Sequence, residues 1–122
     1  MTMRLALAVL AVPLLLAAAD RDRAPAATPA GPAVSCLGLA QIRETRVRDD
    51  RTIDFVTRGG KVYRNTLPYA CPELGFEQRF AYATSLSQLC SVNIITVLRE
   101  SPVSSGASCG LGQFHPVKLT KR

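Results

Sequence analysis

The chain has 122 residues, with 15 Lys and Arg against 9 acidic residues, one histidine, four cysteines and no tryptophan. That length holds one small domain. The formal charge of +6 is a moderate excess; it favours anionic surfaces, although solubility alone also accounts for it.

The N-terminus reads as an export signal. Met1–Arg4 is a short basic start, followed by the apolar run LALAVLAVPLLL and by Ala17-Ala18-Ala19. This is the order of segments in a secretory signal peptide. A spanning helix needs about 20 apolar residues, whereas this run stops at Asp20-Arg21-Asp22-Arg23. Residues 1–19 are therefore expected to be cleaved near Ala19, leaving a periplasmic or extracellular protein with no transmembrane anchor. Cys36 lies too far past the apolar run to be a lipoprotein cysteine. Without Arg4 the mature chain keeps 14 basic against 9 acidic residues, a charge of +5. Residues 20–35, DRDRAPAATPAGPAVS, are rich in Pro and Ala without periodicity. They are expected to form a disordered tether, and residues 36–122 a single small β domain.

The stretch DDRTIDFVTRGGKVYRNTL, residues 49–67, is the most patterned in the chain. Arg58-Gly59-Gly60 predicts a three-residue hairpin loop with Gly60 in the left-handed region. That register sets Phe55 opposite Tyr63, Val56 opposite Val62 and Asp54 opposite Arg64. The preceding QIRETRVR pairs in the same way through Asp49-Asp50-Arg51, with Val47 opposite Ile53 and Arg46 opposite Asp54. A Gly-Gly turn of two residues is the competing reading, and it would mix the faces. Period-two alternation then sends Thr45, Val47, Ile53, Phe55 and Tyr63 to the core. The opposite, outer face carries Glu44, Arg46, Arg48, Asp54 and Arg64, with Val56 and Val62 between them. Asp54 is expected between Arg46 and Arg64, leaving Arg48, Arg58 and Lys61 less accounted for.

Farther on, Pro68 and Pro72 end the third strand of this meander. FAYAT, residues 80–84, alternates aromatic and small residues and suits a short strand. Ser85-Leu86-Ser87-Gln88 has the form of a capping box and predicts one helical turn. VNIITVL, residues 92–98, is dense in β-branched residues and predicts a strand. ESPVSSGAS reads as a flexible loop, and CGLGQFHPVKL as a last short strand after a Gly-rich turn. The expected fold is mainly β, a small antiparallel sheet or partly closed barrel of five or six strands stapled by disulfides. Closure would remove edges that template aggregation.

Cys36, Cys71, Cys90 and Cys109 are spaced by 35, 19 and 19 residues. Zinc and thioredoxin-like redox chemistry both call for close Cys pairs, and no such pair exists. Two disulfides are the default for a small exported domain, with three connectivities open. The preferred pairing is nested, Cys71 with Cys90 and Cys36 with Cys109, which ties the two ends of the domain.

No catalytic constellation emerges. His115 lacks a partner at the level of sequence, and no serine stands in a G-x-S-x-G setting. Gly110-x-Gly112 reads as turn chemistry, and Asp49 and Asp50 as loop shaping. Single-strand nucleic-acid binding is disfavoured, because it needs aromatic platforms beside the charges and Phe55 and Tyr63 fall on the core side.

The marks D-D-x-T-I, R-G-G, NTLP, CP-L, LCS and CGLG-F, spread from Cys36 to Val117, together resemble a family of small exported bacterial proteins classed as a domain of unknown function. The resemblance implies export and a shared fold, and it implies no activity. The family pattern often carries an acidic residue where this chain has Asn93, so no role for a carboxylate there is carried over.

The expected function is that of a non-enzymatic exported binding or envelope-associated module, with no cofactor and no metal. A second reading is an anion-binding module using Arg46, Arg48 and Arg64, with an anionic envelope component as partner: polysaccharide, lipid headgroup or, less favoured, nucleic acid. A third is a small envelope enzyme with a site around His115.

Overall fold

The computed structural model describes residues 24–84 and 86–120. The expected signal peptide, residues 1–19, and the first four residues of the expected tether lie outside the described residues. Among those described there are ten strands, a 3-10 turn at Leu39–Gln41 and one short α-helix. In chain order they are β1 (Ala27–Pro29), β2 (Cys36–Gly38), β3 (Ile42–Val47), β4 (Thr52–Thr57) and β5 (Val62–Thr66). After α1 (Leu74–Glu77) follow β6 (Phe80–Tyr82), β7 (Gln88–Cys90), β8 (Ile94–Glu100), β9 (Val103–Gly110) and β10 (Phe114–Leu119).

The strands do not close into a barrel. They form a five-stranded sheet in the order β1-β10-β5-β4-β3, a two-stranded sheet β2-β7, and a three-stranded sheet β6-β8-β9. Every pairing is antiparallel. Instead of closure, the sheets are joined by side chains, while one disulfide lies within β2-β7 and the other ties the segment before α1 to β9. Phe55 of β4 lies edge-on to Phe114 of β10, 5.2 Å between ring centres, and to Phe80 of β6 at 6.5 Å. Ile53, Ile95, Val97, Leu37, Leu67, Leu74 and Leu89 complete one core that all three sheets share.

The expected meander is present. Phe55 pairs with Tyr63, Val56 with Val62, Asp54 with Arg64, Arg46 with Asp54 and Val47 with Ile53. The Thr57 amide donates to the Lys61 carbonyl at 2.9 Å, closing a loop of Arg58, Gly59 and Gly60. Gly60 has φ +86°, which a residue with a Cβ rarely adopts. Ile53 and Phe55 are fully buried as expected, but Thr45 is exposed, because β3 is the edge strand of its sheet.

Four expectations are corrected. Within the segment expected to be a tether, residues 27–29 form β1 along β10. Main-chain bonds suffice there: the Ala30 amide donates to the Pro116 carbonyl and the Thr120 amide to the Ala26 carbonyl. The Ser-rich segment after Glu100 is strand β9, turned back on β8 by Ser101-Pro102, so that Glu100 faces Val103. No helical turn forms at Leu86–Gln88, since Gln88 opens β7; Ser85 lies outside the described residues. Finally, the cysteines pair as Cys36–Cys90 and Cys71–Cys109, an interlaced pattern and not the nested one. The sheets explain this. Cys36 and Cys90 face each other across β2 and β7. Cys109 lies opposite the buried Ile95, so its side chain meets the buried Cys71.

Two short stretches of the sequence, D-D-x-T and N-T-L-P, have local structural jobs. Asp49 accepts the Arg51 amide at 2.9 Å, and Asp50 accepts the Gly75 amide at 2.7 Å, satisfying an open donor in the first turn of α1. Arg51 donates to the Leu67 and Pro68 carbonyls. Asn65 is fully buried and bonds both main-chain groups of Gly112, at 2.7 and 2.8 Å. A Cβ at Gly112 would collide with the Thr66 carbonyl. Asn65→Leu keeps the volume but leaves the Gly112 amide and carbonyl unpaired, each costing about 1–3 kcal/mol. A urea midpoint unchanged in Asn65→Leu would contradict this account of the contact.

Candidate functional site

The three arginines proposed from sequence are held by partners within the chain. Arg64 donates through Nε to Asp54 Oδ1 at 2.8 Å and through Nη2 to Oδ2 at 2.9 Å. Its Nη1 reaches the Pro25 carbonyl at 2.9 Å, so the segment before β1 lies against this pair. The second cation on Asp54 is Arg48, whose Nε meets Oδ2 at 2.9 Å. Arg46, although it is the register partner of Asp54, turns to Glu44 instead, Nε to Oε2 at 2.9 Å.

This exchange follows from strand geometry. A residue diagonal to its cross-strand neighbour is within reach of a long side chain, so Arg48 can lean to Asp54. Arg46 and Glu44, two apart on one strand, share a face. The Arg46 hydrogen bond holds the Glu44 carboxyl below its ordinary value, and Glu44 in turn raises Arg46. Asp54 has no exposed surface, while the Arg48 and Arg64 side chains are 19 % and 15 % exposed. The charged face read from alternation is thus sealed at its centre. Arg99, at the other sheet, is engaged by Glu73 at 2.8 Å.

The cations at the β4–β5 turn are placed differently. Arg58 and Lys61 are exposed. Arg58 Nε donates to the Ala40 carbonyl at 2.7 Å, which fixes the guanidinium at the rim of a cleft. That cleft, about 490 Å³, is lined by Gln41, Thr57, Arg58, Lys61 and Tyr63 among others. Lys61 Nζ stands 5.3 Å from the centre of the Tyr63 ring. A second cleft of about 590 Å³ lies on the other side of the turn, with Lys61 and Lys118 beside Val62, Val117 and Leu119. Gly59 and Lys61 line both. No carboxylate is among the described residues lining either cleft. Val62 pairs with Val117 at the end of the β5–β10 ladder, and Lys61 and Lys118, one residue beyond that pair, both line the second cleft.

His115 is exposed on β10, and its register partner is Arg64, not a carboxylate. Asn93 accepts the Cys90 amide at 2.6 Å and shapes the turn between β7 and β8. A carboxylate accepts the same bond, so that position reads as turn chemistry. A further cleft of about 480 Å³, between β6 and the start of β8, has Tyr82, Val92 and Ile94 on its wall and no charged residue among the described residues lining it.

Sequence reasoning singled out Arg58 and Lys61 but missed Lys118. The placement of β10 beside β5 is a long-range pairing that no local pattern announces. No helix among the described residues is long and apolar enough to cross a membrane. No family model, curated protein or solved structure matches the chain.

Proposed function

We propose that this chain is an exported, non-enzymatic binding module of the bacterial envelope, and that it takes an anionic ligand at the β4–β5 turn. One observation carries the reading: Arg58, Lys61 and Lys118 gather at one end of the sheet around two clefts with no carboxylate among the described residues lining them. Arg46, Arg48 and Arg64, in contrast, are each bonded to an acid of the same chain. Export is supported by the leader-like N-terminus and by two disulfides, which persist in oxidising compartments.

Titration of the oxidised mature chain with inorganic phosphate, followed by backbone amide resonances, tests the placement. Shifts are expected at residues 57–62 and 117–119, weakening as salt is added and absent in a Lys61→Ala/Lys118→Ala variant. Shifts centred on Arg46 and Glu44 would return the site to the sheet face. No shift anywhere would remove the anionic reading.

A further inference from the structure

We propose that the ligand at this end of the sheet is a linear acidic polysaccharide lying across the β4–β5 turn, with one stretch in each cleft. This rests on the anionic reading above and adds to it the size and chemistry of the ligand.

The first argument is continuity. The two clefts share Gly59 and Lys61, so the turn is a saddle between them. A Cβ built on Gly59 or Gly60 meets nothing within 4 Å. The crest is therefore open, and bare backbone there admits close approach of a chain. A single small oxyanion fills one side only. A linear polymer reaches Arg58 on one side, Lys61 at the crest and Lys118 on the other.

The second argument is electrostatic. Lys61 and Lys118 both line the second cleft, one residue beyond the terminal Val62–Val117 pair, and no acidic residue is among the described residues lining either cleft. The free protein carries the repulsion of that pair, and an arriving anion relieves it. Repeated anionic groups, one for each cation, match the row of three positive charges.

The third argument is the character of the walls. The Lys118 cleft has an apolar side made of Val62, Val117 and Leu119. A uronic-acid polymer has both features required, hydrocarbon faces on its rings and a carboxylate on each unit. Nucleic acid fits less well. Its single strands bind by stacking on exposed aromatic faces, and the Tyr63 ring already carries Lys61 above it.

The test uses oligogalacturonates of increasing length with the oxidised mature chain, measured by calorimetry beside the phosphate titration. Linked engagement of two clefts predicts roughly a hundredfold gain in affinity from the single sugar acid to chains long enough to cross the turn. Lys118→Glu is expected to abolish that gain. It replaces a like-charge neighbour of Lys61 with an opposite one, so its thermal midpoint should not fall, which separates lost binding from lost folding. Affinity that does not grow with length overturns the spanning ligand, while phosphate shifts at the turn would leave the anionic site in place. Preference for single-stranded oligonucleotides or for vesicles of anionic lipid over the long oligogalacturonates overturns the polysaccharide. Absence of both phosphate shifts and oligogalacturonate binding overturns the inference and the reading beneath it together.

Discussion

Asp54→Ala is expected to destabilise the domain by about 3–5 kcal/mol, the usual cost of removing one member of a buried ion pair. Asp54 is fully buried and accepts hydrogen bonds from both Arg48 and Arg64, which are themselves mostly covered. Its loss removes the carboxylate to which both guanidinium groups are bonded. Arg64 also holds the Pro25 carbonyl, so loosening is expected to spread to the segment leading into β1. Amide exchange at residues 26–30 provides a second readout. Arg46→Ala should behave as an ordinary surface substitution, since Arg46 bonds only the exposed Glu44 on its own strand. A denaturation series in which Arg46→Ala costs as much as Arg48→Ala would show that the register partner, and not the diagonal one, neutralises Asp54.

Removal of either disulfide is expected to have an effect of similar size. The bridges close segments of 54 and 38 residues, each worth about 4 kcal/mol in the chain-entropy model. In a domain whose whole stability is of the order of 5–15 kcal/mol, losing both should unfold it. The two variants should differ in where they fail. Cys36→Ala/Cys90→Ala releases the two-stranded sheet β2-β7. Cys71→Ala/Cys109→Ala disconnects the α1 segment from β9 and opens a fully buried site at Cys71. Peptide mapping without reduction is expected to recover Cys36 linked to Cys90 and Cys71 linked to Cys109. Recovery of a Cys71–Cys90 peptide would contradict the packing of the three sheets.

The parts of the fold legible in the sequence are those set by local chemistry. Gly60 and the alternation around it specify the β4–β5 hairpin, and a one-residue slip would have turned Phe55 outward. The β-branched run at 92–98 announces most of β8. The parts that were not legible depend on partners distant in the chain. β9 is built mostly from Ser, Gly and Ala, which favour no strand by themselves; it is a strand because β8 lies beside it. β1 contains Pro and Ala and needs only main-chain bonds to β10. The cysteine pairing follows from which strands face one another, and spacing carries no record of that. The candidate site shows the same division. Arg58 and Lys61 stand out beside the glycine pair, whereas Lys118 joins them only through the β10–β5 pairing. The charged face was visible as a face, yet its burial was not. Alternation does not reveal that Arg48 and Arg64 close over Asp54.

The central claim is that the basic residues divide into two sets, Arg48 and Arg64 holding the fold and Arg58, Lys61 and Lys118 holding the ligand. Stability and oligogalacturonate affinity measured side by side on Arg48→Ala and Lys118→Glu test it most directly. The account predicts that Arg48→Ala lowers the urea midpoint while the folded fraction binds as before. It predicts that Lys118→Glu keeps the midpoint and loses the binding. Lost binding in folded Arg48→Ala, with full binding in Lys118→Glu, would contradict it and place the ligand on the sheet face.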